Sequence, residues 1–172
     1  MLELTMPEFN KTRMLVIGDI MLDRYWHGAT ERVSPEAPVP VINVTRQDDR
    51  PGGAANVALN TAALGAQTHL LGLVGKDEAA AVLSSRLQAA GVACHFTNTS
   101  SEPTITKLRA ISRNQQLIRM DFEQRFSASY ASDLNKSVAE HLDAADVVIL
   151  SDYNKGTLSD CQSIIKLAKA QG

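Results

Sequence analysis

Apolar residues in this chain fall into short β-type runs separated by stretches of helical spacing. That alternation predicts an α/β domain on a mainly parallel sheet. Met14–Ile17 is the first run, ending at Gly18-Asp19. A helix is expected over Ala54–Leu64 with Gly65 stopping it, and Thr68–Leu73 reads as the next buried strand. Asp77 is placed to cap a helix reaching about Ala90, with Gly91 as its C-terminal stop. A helix over about Ser129–Leu142, a strand at Val147–Leu150 and a helix from Ser159 to Gln171 complete the alternation.

Two stretches interrupt it. Val39–Thr45 is β-rich, follows Ser34-Pro35-Glu36-Ala37-Pro38, and sits between the first strand and the first helix. Thr104–Ser112 and Gln115–Phe122 read as two strands joined by a turn near Arg113-Asn114. Such excursions build either a lid over a site or a surface hairpin, and long ones tend to be functional. The last pieces, a strand and a crossover helix before Gly172, lead toward a further strand of a doubly wound sheet. The chain is therefore expected to be the N-terminal portion of a longer domain.

Composition narrows the class without choosing a function. At 172 residues, about two-thirds of the unfolded surface can be buried. Apolar residues make up 44% and charged residues 21%, as in ordinary globular proteins. A net charge of −2 gives no basic field for nucleic acid or an anionic membrane. Met1–Asn10 lacks the pattern of a secretory signal, and no apolar run approaches the roughly 20 residues of a membrane span. Cys94 and Cys161 match no metal or redox spacing and read as idle thiols of a reducing cytosol. A soluble, cytoplasmic protein is expected.

The densest chemistry is Pro51-Gly52-Gly53-Ala54-Ala55-Asn56-Val57-Ala58, followed by Gly65 and Gly75. Adjacent glycines ahead of a helix let a ligand approach the backbone, and the N–H groups there can donate to a hydroxyl or an anion. Asn56 offers a donor and an acceptor, suited to vicinal hydroxyls. A plain glycine turn with a local asparagine cap fits the same residues. Gly18-Asp19-Ile20-Met21-Leu22-Asp23 places carboxylates at a strand end, where open α/β sheets bind ligands and where a solvated turn aspartate is equally at home.

Gly52–Ala58 with Gly65 and Gly75 resembles the first signature of the ribokinase-like sugar kinases. The resemblance implies a three-layer αβα fold with a mainly parallel sheet and a small β-lid, the lid being residues 24–50 and 104–123. It also implies that Gly52, Gly53 and Asn56 bind substrate hydroxyls, and that Asp23 grips the sugar, with Asp19 a weaker candidate. Gly18–Trp26, Ser34–Pro40, Thr106–Arg109, Asn114–Asp121 and Ser151–Gly156 are similar, more narrowly, to the bacterial heptose 7-phosphate kinases. In many Gram-negative bacteria such a kinase is the first half of a bifunctional enzyme with an adenylyltransferase. Phosphorylation of heptose 7-phosphate at carbon 1 by ATP and magnesium is the reaction implied.

On this reading the basic lid residues Lys107, Arg109, Arg113, Arg119 and Arg125 are candidates to grip the substrate phosphate, Lys107, Arg109 and Arg119 foremost. A solvated strand face accounts for them equally simply. Lys155, before Gly156, either reaches a phosphate or points to solvent. The family's Gly-Ala-Gly-Asp, whose aspartate is the catalytic base, does not occur, nor does the His-x-Gly-His of an adenylyltransferase. No catalytic residue is therefore assigned in this chain, and the base is expected beyond Gly172. Gly72–Asp77 falls short of a P-loop, since Leu70 and Asp77 stand where glycine and serine or threonine are required. His27, His69, His95 and His141 show no metal spacing, so no metal site is expected. Lid strands with free edges could pair two copies into a homodimer. A kinase for another sugar, or a sugar-binding module without catalysis, would carry many of the same residues.

Overall fold

The computed structural model describes residues 8–171. Met1–Pro7, most of the segment read for a secretory signal, and Gly172, where a further strand was expected, lie outside the described residues. Four parallel strands form the main sheet: β1 (Arg13–Gly18), β4 (Gln67–Val74), β5 (Ala93–Asn98) and β8 (Val147–Ser151), in the order β5-β4-β1-β8. The lid is a second sheet, ordered β3-β2-β6-β7, made of β2 (Ile20–Val33), β3 (Pro40–Gly53), β6 (Ile105–Ser112) and β7 (Gln115–Phe122).

Two helical layers cover the main sheet, and side-chain alternation decides which residues meet each. Val16 and Leu70 pack with α1 (Ala54–Ala63) and α2 (Glu78–Ala89) through Ala55, Ala58, Leu83 and Leu87. Their neighbours Leu15, Ile17 and Leu71 face the other way, onto α3 (Ala131–Leu142) and α4 (Cys161–Gln171) through Leu134, Val138 and Ile164. The expected three-layer αβα arrangement is thus present. Among the described residues no helix is long and apolar enough to cross a membrane.

Several boundaries differ from the sequence reading, each for a physical reason. The whole of β2 was unforeseen, because its lid portion is half-buried on both faces and mixes charges with aromatics instead of alternating cleanly. Asp23 therefore lies inside a lid strand and not at the end of β1. β3 continues through the polar stretch Arg46–Arg50 to reach the glycine pair, well past Thr45. β5 was also missed, being an edge strand of intermediate burial. The last helix starts at Cys161, after a turn around Ser159. The β6–β7 turn lies where expected, with Arg113 and Asn114 at φ 49° and 64°, the handedness that two-residue hairpin turns require.

The lid is rooted on α2. The Asp77 carboxylate caps that helix by accepting from Ala80 N at 3.0 Å, and accepts from Thr104 N at 2.8 Å and Thr104 Oγ1 at 2.7 Å. Burial pushes the Asp77 pKa up, but these donors outweigh it and hold the group below its ordinary value. Arg24 on β2 joins the same region, donating to Asp49 on β3 at 2.8 Å and to Glu78 on α2 at 2.9 Å.

At the opposite end of the sheet, Arg13 and Asp146 clamp the start of β1 to the turn before β8. Arg13 Nη2 donates to Oδ1 at 2.7 Å and Arg13 N to Oδ2 at 2.8 Å. The Arg13 side chain, seconded by its backbone N–H, holds the Asp146 carboxyl down to about 2 against an ordinary 3.8. A lowered folded-state pKa stabilises the fold above the unfolded value, and that contribution fades as pH falls through the folded one. Asp146→Asn should therefore have a lower urea midpoint than the parent near neutrality, the gap closing between about pH 4 and pH 2. Paired urea titrations across that range give the measurement.

Candidate functional site

β3 ends in two glycines and α1 starts on the next residue. Gly53 adopts φ 56°, ψ −132°, a backbone state that residues with a side chain scarcely visit, and a Cβ there would run into the Asp19 carbonyl oxygen. A Cβ on Gly52 would instead overlap the Asp23 carboxylate. The bare backbone at Gly52 thus leaves the room in which Asp23 lies.

Asp19 ends the strand–turn from β1 and is fully buried. Its carboxylate accepts from the N–H groups of Tyr153, Lys155 and Thr157 at 2.8, 3.0 and 3.1 Å. Positive φ at Asn154 (59°) and Gly156 (108°) turns these alternate amides to one side, a backbone nest around an anion. The Asp19 carbonyl accepts from Ala54 N at 2.9 Å, which fixes the first turn of α1. Asp19 is consequently structural: all its oxygens face the protein, and it does not reach the cleft.

The pairing register of the lid separates its two faces. Asp23 stands between Arg50 and Lys107, and Lys107 beside Asp121; one row along, Tyr25 stands between Asp48 and Arg109, and Arg109 beside Arg119. These rows share the face toward α1. The alternate rows, Leu22–Thr106–Phe122, Arg24–Leu108–Met120 and Trp26–Ala110–Ile118, make the opposite and largely apolar face. A cleft of about 470 Å³ opens on the polar side, lined by Met21, Asp23, Tyr25, Arg50, Pro51, Gly52, Gly53, Asn56, Lys107, Arg109, Arg119 and Tyr153.

Charges in and around the cleft are paired. Arg109 Nη1 donates to Asp23 Oδ1 at 2.6 Å, and its guanidinium lies 5.2 Å from the Tyr25 ring centre. Arg50 lies 4.9 Å from the same centre and donates to Asp48 at 2.7 Å. Lys107 Nζ donates to Asp121 at 3.0 Å and Glu123 at 3.1 Å, while Arg119 Nε donates to Asp121 at 2.8 Å. The Lys107 hydrogen bond chiefly, opposed by burial and helped by Arg119, holds Asp121 below the usual carboxylate range. Lys155 does the same for Glu123, from 2.6 Å.

Seven of the residues singled out from the sequence, Asp23, Gly52, Gly53, Asn56, Lys107, Arg109 and Arg119, line this one cleft. Lys155 does not line it; its ammonium is bound to Glu123. Arg113 is in the hairpin turn and Arg125 donates to the Asn154 carbonyl, so neither lines the cleft. Tyr25, Arg50 and Tyr153 were missed. Two of them were within reach of strand alternation, since Tyr25 follows Asp23 by two and Arg50 precedes Gly52 by two.

Three histidines without metal spacing along the sequence meet in space. His69, His95 and His141 are distant in sequence, yet β4, β5 and α3 bring one ring nitrogen of each within 4.8 Å of the others. Spacing along the chain could not reveal this, because the cluster forms across a parallel sheet and a covering helix.

The family profile described as pfkB family carbohydrate kinase matches residues 11–172. The chain is 56% identical over 171 residues to "Bifunctional protein HldE" of Aeromonas salmonicida, covering 99% of the chain and 36% of that protein. The protein of the same name from Alcanivorax borkumensis is also 56% identical, over 96% of the chain and 35% of its own length. The chain thus spans about a third of the length of these curated relatives. Among solved structures, a carbohydrate kinase from Agrobacterium tumefaciens superposes with TM-score 0.70 at 19% identity, over 93% of the chain and 51% of that protein. Arabidopsis thaliana ribokinase complexed with ribose and ATP gives 0.66 at 19% identity, over 94% and 51%. At such identity these structures show the fold, which is ribokinase-like.

The two glycines should respond differently to the same substitution. Gly53→Ala meets rigid backbone at a strained φ and should cost about 2–4 kcal/mol in urea unfolding. Gly52→Ala meets only a side-chain carboxylate, so stability should change by less than about 1 kcal/mol while Asp23 is displaced from Arg109. Unfolding curves for both variants, with a structure of Gly52→Ala, check the contrast.

Proposed function

We propose that this chain, which belongs to the pfkB family of carbohydrate kinases, forms the substrate-binding part of a kinase acting on D-glycero-D-manno-heptose 7-phosphate. Phosphorylation at O1 would give the 1,7-bisphosphate on the route to ADP-heptose and the lipopolysaccharide inner core. The observation that carries the reading is the composition of the cleft. A carboxylate, a glycine pair and an asparagine share the cleft with two cations, Lys107 beside Asp23 in its own lid row and Arg119 one row along.

Asp23 accepts a pair of sugar hydroxyls, and Asn56 supplies a donor and an acceptor beside it. Binding displaces Arg109 from Asp23, and the freed guanidinium turns to the sugar or its phosphate. Lys107 and Arg119 take the 7-phosphate, which suits their shared partner Asp121: one dianion replaces one carboxylate between two cations. Tyr25 and Tyr153 wall the cavity and exclude water from these contacts.

ATP supplies the phosphoryl group in such a reaction, with Mg²⁺ as its counter-ion. The residues in hand do not fit that pair. Asp23 and Asp121 are each held by cations, Asp19 is closed off by backbone amides, and the chain contains no Gly-Ala-Gly-Asp. The reading therefore assigns no base and no nucleotide site to these residues, which span about a third of the relatives' length. The same reading places the protein in the cytoplasm, where its phosphorylated substrate is found. Exposed Val44 on β3 and Ile118 and Phe122 on β7, the lid's edge strands, favour a homodimer formed through the lid.

Isothermal titration with heptose 7-phosphate, plain heptose and ribose tests the assignment. The 7-phosphate should bind at least about 10-fold more tightly than plain heptose, one charge-assisted contact being worth about 1.5–3 kcal/mol. In the Lys107→Met/Arg119→Met double variant that preference should fall below about 3-fold. Equal affinity for all three sugars in the parent chain would remove the heptose phosphate from consideration. Incubation of the chain with ATP, Mg²⁺ and the sugar phosphate should give no bisphosphate.

A further inference from the structure

We propose that His69, His95 and His141 form a binding site for Zn²⁺, or a like borderline divalent cation, that pins α3 to the β4–β5 edge of the main sheet. His69 is the third residue of β4 and His95 the third of β5. In the parallel register His95 stands opposite Leu71, so His69 and His95 project from the same sheet face, the face Leu71 turns to α3. His141 closes the group from the last turn of that helix. All three rings are half-buried.

The spacing fits a tetrahedral ion. With Zn–N bonds of about 2.0–2.1 Å, two nitrogens on one ion lie about 3.3 Å apart. His69 Nδ1 and His95 Nε2 are 3.0 Å apart. The rings of His95 and His141 are 4.0 Å between centres, and one nitrogen from each of the three residues falls within 4.8 Å of the others. The third ligand therefore needs a side-chain movement of order 1 Å to complete a set of three, leaving the fourth position to water.

Tautomer and surroundings agree with metal binding. His141 Nδ1 lies 2.7 Å from the Ser137 carbonyl, where only a protonated Nδ1 can donate, and this leaves Nε2 as a lone-pair donor. Metal-bound histidines are commonly oriented by such a bond from the second nitrogen. A cavity of about 250 Å³ lined by His69, His141 and Glu140 gives an ion and its water a way in. An all-imidazole donor set favours zinc, copper, nickel or cobalt over the oxygen-seeking magnesium and calcium.

The site is separate from the sugar cleft: no cleft residue lines its cavity, and both strand histidines lie toward the amino ends of their strands. Its consequence is mechanical. Among the described residues β5 is an edge strand paired only with β4, and an ion bridging both strands to α3 would hold that edge against opening.

Tag-free chain, stripped with chelator, would be titrated with ZnCl₂ by calorimetry and, in parallel, with CoCl₂ by visible absorption. One equivalent should bind with a dissociation constant near or below about 1 µM, raise the melting midpoint by roughly 5 °C at about 100 µM free zinc, and give the spectrum of four-coordinate cobalt. His95→Phe and His141→Phe keep the ring volume and should each weaken binding at least about 10-fold while remaining folded by circular dichroism. Sub-stoichiometric binding at about 100 µM free metal, or a six-coordinate cobalt spectrum in the parent chain, would overturn the proposal. So would unchanged affinity in both folded variants. Because the cobalt spectrum is read on the parent chain, a variant that fails to fold leaves the question decidable.

Discussion

A buried carboxylate holds this architecture at the point where its parts meet. Asp19 has no exposure, and among the described residues its side-chain oxygens are bonded to three backbone amides of the loop after β8. Leaving a carboxylate in such a place without donors would cost several kcal/mol. The loop must therefore keep the nest conformation, with Asn154 and Gly156 at positive φ and Arg125 fastening the Asn154 carbonyl. The same residue, through its main chain, bonds Ser151 of β8 and the first amide of α1. One residue, by side chain and main chain together, thus ties the end of the first strand to β8, the glycine turn before α1 and the loop that forms a wall of the cleft.

The lid works as a two-sided device because strand alternation assigns chemistry to faces. Counting by twos from Asp23, Lys107 and Arg119 gives the polar side; the residues between them give the apolar side. Arg24 is the exception, a charge on the apolar face, and its use is structural: it bonds Asp49 across the lid and Glu78 on α2. Substitutions on the polar face can retune what is bound without touching the contacts that hold the lid in place.

What could be read from the sequence follows the same physics. Gln67–Val74, buried over most of its length, and Val147–Ser151, apolar though only half-buried, stood out as apolar runs, and Asp77 and Gly91 marked helix ends by local chemistry. Seven cleft residues were singled out because the glycine signature, the aspartate Asp23 and the clustered lid cations resemble a known family, their residue types alone leaving bland readings open. β2 was illegible: its fourteen residues switch from a buried root to a half-buried ribbon, so no single period describes it. Alternation from Asp23 and Gly52 reaches Tyr25 and Arg50, but only once β2 and β3 are known to be strands that pair. The histidine cluster depends on three separate elements coming together, and no local pattern encodes that.

The paired state of the cleft has an electrical consequence. Arg109, Lys107, Arg119 and Arg50 each already hold a carboxylate, so the cavity presents little uncompensated charge to solvent. On the proposed function, an arriving sugar phosphate would swap partners within a nearly neutral lattice of ions instead of discharging a bare positive surface. Capture by such a site should be selective more than fast, and largely indifferent to ionic strength, because free anions see no field from a distance. Inorganic phosphate, abundant in a cell, then gains little by its charge alone. The ligand that opens the ion pairs is one that also brings hydroxyls to replace what Asp23 gives up.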